Sequence, residues 1–102
     1  MNYPVNKAHT ATVHRIAERY SLPFNQDSGF DFRCDQFVIE VETTATLVNT
    51  VERLTQCDSV AYIAMTNMEG VHDAIQLTTG TGVGVMEPQG TIVKESAADE
   101  ID

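Results

Sequence analysis

Lysine is almost missing from this chain. Lys7 and Lys94 are its only lysines, and with four arginines they face 15 aspartates and glutamates, a formal net charge of −9 over 102 residues. Nucleic-acid binding normally leaves a basic patch or stripe, and six scattered cations draw none. Cysteine is scarce too. Cys34 and Cys57 are too few for a disulfide framework or a zinc site of their own. His9, His14 and His72 stand at no spacing that would join them in a metal pattern, so two reduced thiols in a reducing compartment are expected. No apolar run approaches the 18 residues of a membrane-spanning helix. The opening Met-Asn-Tyr-Pro carries neither the basic region nor the apolar stretch of a secretory leader. A cytoplasmic protein with no membrane partner is the expectation.

What is present fits one modest globular core: 42% of the residues are apolar and 21% charged. The acid excess, lysine scarcity and frequent threonine together are the composition of a halophilic chain, as in haloarchaea and their viruses. A compact body with this charge repels itself at low ionic strength and is relieved by salt, the Debye length falling to about 3 Å at 1 M. An ordinary acidic protein shares the charge but not the lysine scarcity.

Asn6 can cap a helix running to about Tyr20, with Val13, Ile16, Ala17 and Tyr20 as its buried stripe. Pro23 disfavours a helical Leu22 and ends it. Phe30–Arg33 and Phe37–Glu42 alternate apolar and polar and predict a β-hairpin through Cys34-Asp35-Gln36. Thr43, Thr44 and Thr46 are candidate caps for a helix over about 46–57, with Leu47, Val48, Val51 and Leu54 inward. Val60–Met65 is continuously apolar, as in a strand covered on both faces. A third helix is expected over about 69–79, with Gly80 just past its end. Val83–Met86 reads as a strand, Glu87-Pro88-Gln89-Gly90 as a turn, and Thr91–Val93 as the returning strand.

The order predicts an α/β fold: a single domain over residues 1–94, a mixed central sheet flanked by helices, and an acidic, frayed tail over 95–102. Pairing Phe32 with Phe37 puts Asp31 opposite Val38 and sets Phe30, Phe32, Phe37, Ile39 and Val41 on one face. Asp31, Val38, Glu40 and Glu42 take the other. Asp31 and Glu40 become diagonal neighbours, and crowded carboxylates are neutralised by a divalent cation, Mg²⁺ or Mn²⁺ being suited to all-oxygen ligands. A shared proton would also relieve them. The plain alternative is a strand with one solvated face.

A helix, a loop ending Ser28-Gly29, Asp31 on a strand, Ile39-Glu40-Val41-Glu42 on the next, then a helix and a buried strand resemble the PD-(D/E)xK nuclease superfamily. The outline, over about residues 8–66, is nearest that of archaeal Holliday junction resolvases. The resemblance implies a restriction-endonuclease-like core, Asp31 and Glu40 as metal ligands joined by Glu18 of the first helix, and a metal-dependent DNA endonuclease or junction resolvase. DNA and a second copy of the chain are the partners it implies. The family's lysine, two residues after the second acid, polarises the attacking water; here that position is Glu42. Glu42 is then a catalytic-site variant, or Arg19 or Lys94 supplies the cation, or catalysis has been lost. In the last case the domain is a catalytically silent binding or assembly module. A small acidic structural protein with no site is the unrelated alternative.

Thr79-Gly80-Thr81-Gly82-Val83-Gly84 looks like a phosphate cradle but lacks the Gly-Lys-Ser/Thr ending and precedes a strand. It is read as a helix end and strand entry.

Overall fold

The computed structural model describes residues 7–22, 32–33, 37–56 and 60–96. Asp31, Phe30, Cys34, Asp35, Cys57 and the tail from residue 97 onward lie outside the described residues.

Helix α1 spans Lys7–Tyr20 and turns its Val13 and Ile16 stripe inward, as the spacing predicts. Strands β1 (Phe32–Arg33) and β2 (Phe37–Glu42) pair antiparallel. A single 3-10 turn, Thr44–Thr46, leads into α2, Leu47–Thr55. Strand β3 (Val60–Met65), helix α3 (Met68–Thr78) and strands β4 (Gly84–Met86) and β5 (Ile92–Lys94) complete the chain. The expected helix 69–79 begins one residue earlier because Asn67 caps it, its side-chain oxygen accepting from the Gly70 amide at 2.7 Å. Among the described residues no helix is long and apolar enough to cross a membrane.

The five strands lie in sequence order, β1-β2-β3-β4-β5, with β2, β3 and β4 parallel and each outer pair antiparallel. The sheet is therefore mixed and flanked by helices, as expected. Strand β3 is central, and its alternation feeds two cores. Ala61, Ile63 and Met65 join Val38, Val85, Leu47, Val51, Leu54, Val71 and Ala74 beneath α2 and α3. Tyr62 and Ala64 join Phe32, Ile39, Val41 and Met86 beneath Val13 and Ile16 of α1. A parallel interior strand with both faces covered has no solvated side to spend on polar residues, which explains the unbroken apolar run.

One register differs from expectation. Phe32 pairs with Ile39 and Arg33 with Val38, so the hairpin is displaced by two residues from a Phe32–Phe37 pairing. An even slip leaves every side chain on its predicted face. Phe32, Ile39 and Val41 still share the α1 face, with Phe37 packed against it.

Two glycines are required by close approach. At Gly84 a Cβ would lie 2.6 Å from the Tyr62 ring and 2.7 Å from the Lys94 carbonyl oxygen. At Gly90, φ is +89° and α1 presses directly on the β4–β5 turn. There Arg15 Nε donates to the Pro88 carbonyl at 3.1 Å, Arg19 Nη1 to the Gln89 carbonyl at 3.0 Å, and the Tyr20 hydroxyl to the Gly90 carbonyl. Glu95 and Ser96, assigned by the sequence to the frayed tail, are tied to the fold. Tyr62 donates to Glu95 Oε1 at 3.0 Å, and the Ser96 hydroxyl to the Gly82 carbonyl at 2.7 Å.

Candidate functional site: the carboxylates of the second strand

Glu40 and Glu42 alternate with Ile39 and Val41, which belong to the α1 core, so both carboxylates fall on the face covered by α2 and α3. Glu42 is the last residue of β2, beside Met65 at the end of parallel β3. Glu42 therefore sits at the carboxyl end of the parallel strands, where open α/β sheets place their ligands, and Glu40 two residues inside it.

Helix α2 meets both carboxylates. Its apolar residues Leu47, Val51 and Leu54 pack on the sheet, while Thr46, Thr50 and Arg53 form a second, polar stripe at i, i+4 and i+7. Arg53 Nη2 lies 3.0 Å from Glu40 Oε2. The Glu40 side chain is 13% exposed and that of Arg53 46%, so the guanidinium stands on the open side of the acid. Thr46 and Thr50 each donate a hydroxyl to Glu42, one to each carboxylate oxygen. Thr46 holds the N-cap position of α2 and Thr43 that of the 3-10 turn, as expected, but neither makes a side-chain capping bond. The face that the plain alternative left to solvent is covered by α2, which with the 3-10 turn before it supplies a cation and two hydroxyls.

The expected ligands are only partly gathered. Glu18 is exposed on α1, which packs on the opposite face of the sheet, and so it does not join Glu40. Asp31 lies outside the described residues. Among the described residues no group of three or more histidine, cysteine, aspartate or glutamate side chains is placed to hold a metal. Glu40 and Glu42 suit Mg²⁺ or Mn²⁺ by donor type; Glu18 is excluded by position.

The cations proposed to replace a lysine at position 42 are engaged elsewhere. Arg19 reaches the Gln89 carbonyl and donates to the Thr91 hydroxyl at 2.8 Å. Lys94 Nζ donates to the Val83 carbonyl at 2.6 Å and lies 3.4 Å from that of Thr78 at the end of α3. Burial there pulls the Lys94 ammonium below its ordinary pKa. Among the described residues the cation that meets a candidate acid is Arg53. Its helical phase with Thr46 and Thr50 is a signal the sequence carries.

The Gly-rich segment behaves as expected. Thr81 donates its hydroxyl to the Thr78 carbonyl at 2.7 Å and accepts from the Val83 amide at 3.1 Å, closing α3 and starting the strand. No protein-family model, curated protein or solved structure matches this chain.

Proposed function

We propose that this chain is a metal-dependent DNA endonuclease domain of PD-(D/E)xK type, with a restriction-endonuclease-like core and the outline of an archaeal junction resolvase. The observation that carries the reading is the placement of Glu40 and Glu42 on one face of β2, running to its carboxyl end, after a hairpin and before a helix and a parallel strand. In this reading Asp31 and Glu40 hold Mg²⁺ or Mn²⁺. The ion would activate a water and offset charge on the phosphate. Glu42, clasped by Thr46 and Thr50, ties α2 to the sheet and keeps the carboxylate edge in place.

A second reading has its own observation. The 3.0 Å Glu40–Arg53 pair supplies Glu40 with a resident positive partner, as a catalytically silent binding or assembly module would need. Cleavage of branched and linear DNA in high salt, with Mg²⁺, Mn²⁺ or chelator, separates the two. The nuclease reading expects metal-dependent cutting that Asp31→Asn and Glu40→Gln each abolish and Glu18→Gln spares. Absence of cutting by the unaltered protein under all conditions supports the silent module.

A further inference from the structure

We infer that Arg15 and Arg19 of α1 form a phosphate-binding pair beside the β4–β5 turn, taking a phosphate group carried on a nucleic-acid strand or free in solution. The inference needs no metal and stands apart from the reading above.

Acids outnumber bases by 15 to 6, so a carboxylate is the partner most on offer to an arginine of this chain. Yet among the described residues neither Arg15 nor Arg19 is paired with one. Both are exposed on α1, four residues apart and hence neighbours on one side of the helix. Their guanidiniums reach the carbonyls of successive turn residues, Pro88 and Gln89, and so stand close together. Like charges so placed repel, and the acids nearest in sequence do not relieve them. Glu18 makes no ion pair with either among the described residues. Glu87 turns its Oε1 to the Gln89 and Thr91 amides, at 2.7 and 3.0 Å.

The pair is also held in place before any ligand arrives. Arg15 Nη2 donates to the Thr12 hydroxyl at 3.2 Å and Arg19 Nη1 to that of Thr91, while the Arg19 guanidinium lies 5.8 Å from the centre of the Tyr20 ring. A side chain already pinned loses little freedom on binding. These contacts use only part of each donor fork. Arg15 Nη1 and Arg19 Nη2 and Nε meet no acceptor among the described residues, and remain for a ligand. A carboxylate has two oxygens, which a single fork occupies; a phosphate carries further oxygens and spans two forks. Bridging the two guanidiniums would also remove their repulsion. The turn follows β4 at the carboxyl edge of the parallel strands, the edge on which Glu42 lies, with α1 covering the other face.

The test follows the Arg15 and Arg19 Nε–H resonances of the full chain, with chelator present, during titration with inorganic phosphate, a thymidine oligonucleotide or acetate at matched ionic strength. Phosphate binding predicts saturable movement of both resonances with at least one phosphate probe and none with acetate. Tighter binding of the oligonucleotide assigns the phosphate to a strand; inorganic phosphate binding as tightly or more tightly assigns it to a free anion. Arg15→Gln and Arg19→Gln should each weaken binding of the better probe by roughly threefold to tenfold. Arg19→Lys, which keeps the charge and loses the fork, should weaken it as well. No saturable movement with either phosphate probe, equal movement with acetate, or variants that bind as tightly as the parent overturn the inference. Each of these leaves the metal-dependent reading standing, because no divalent ion is present. Should a variant not fold, the resonances of the unaltered protein decide by themselves.

Discussion

Replacing Thr50 by valine preserves shape and deletes one hydroxyl from the clasp on Glu42. Thr50 is buried, 4% exposed, and its hydroxyl donates directly to the carboxylate. A hydrogen bond to a charged group contributes about 1.5–3 kcal/mol. The loss falls toward the lower end, because Glu42 is half-buried, can take up water, and keeps the Thr46 hydroxyl. The added methyl returns somewhat under 1 kcal/mol. The net cost is about 1 kcal/mol, which for a domain of this size lowers Tm by roughly 4–8 °C. Thermal melts followed by circular dichroism at 222 nm, with urea titrations in the same buffer, read this directly. The decisive measurement is the double-mutant cycle with Glu42→Gln. If the hydroxyl acts through the carboxylate, the two losses should fall short of additivity by about 0.5–1.5 kcal/mol. Additive losses, or a Thr50→Val protein as stable as its parent, would refute the clasp.

Three further outcomes are expected. Gly84→Ala should cost about 1–3 kcal/mol by driving a methyl against the Tyr62 ring and the Lys94 carbonyl; a thermal melt unchanged within a degree would show that β4 and β5 yield freely. Tyr62 is held above its ordinary pKa of 10.0, by burial first and by its hydrogen bond to Glu95 second. A raised folded pKa gives stability that is complete below pH 10 and is lost as the pH climbs through the folded value. Urea titrations from about pH 8 to 11 should therefore show the parent losing stability that Tyr62→Phe keeps, and parallel curves would contradict this. Finally, melts from about 0.1 to 3 M KCl should show Tm climbing by more than a degree or two as the charge of −9 is screened, whereas a flat response would remove the salt-adapted reading.

The elements were legible where one periodicity decided them. Val60–Met65 could be assigned because a run of six apolar residues has the length of a strand covered on both faces and is too short for a buried helix. The Val13–Ile16 stripe fixed the buried side of α1 in the same way. The hairpin register was not legible, because Cys34-Asp35-Gln36 contains no Asn-Gly or Asp-Gly pair to specify a two-residue turn. Alternation still sorted the faces, since a slip of two preserves them. The partners of the carboxylates were hidden for a different reason. Alternation shows that Glu40 and Glu42 share a face, but which helix covers that face depends on how the β2–α2–β3 crossover packs back on the sheet. Glu18 was drawn into the site by the family resemblance, and α1 lies across the sheet from Glu40.

The scarcity of cations gives the Glu40–Arg53 pair its weight. The described cationic side chains are committed to internal contacts: Arg15 and Arg19 on the β4–β5 turn, Lys94 on the carbonyls of Thr78 and Val83, and Arg53 on Glu40. Three of these bind backbone carbonyls and hold one element to another. Arg53 alone among them is paired with an acid, in a chain where acids outnumber bases by 15 to 6. With so few cations available, most carboxylates must be neutralised by water and counter-ions. Among the described residues Glu40 is joined to a guanidinium, and it lies mostly buried, where neither water nor a diffuse ion cloud compensates it well.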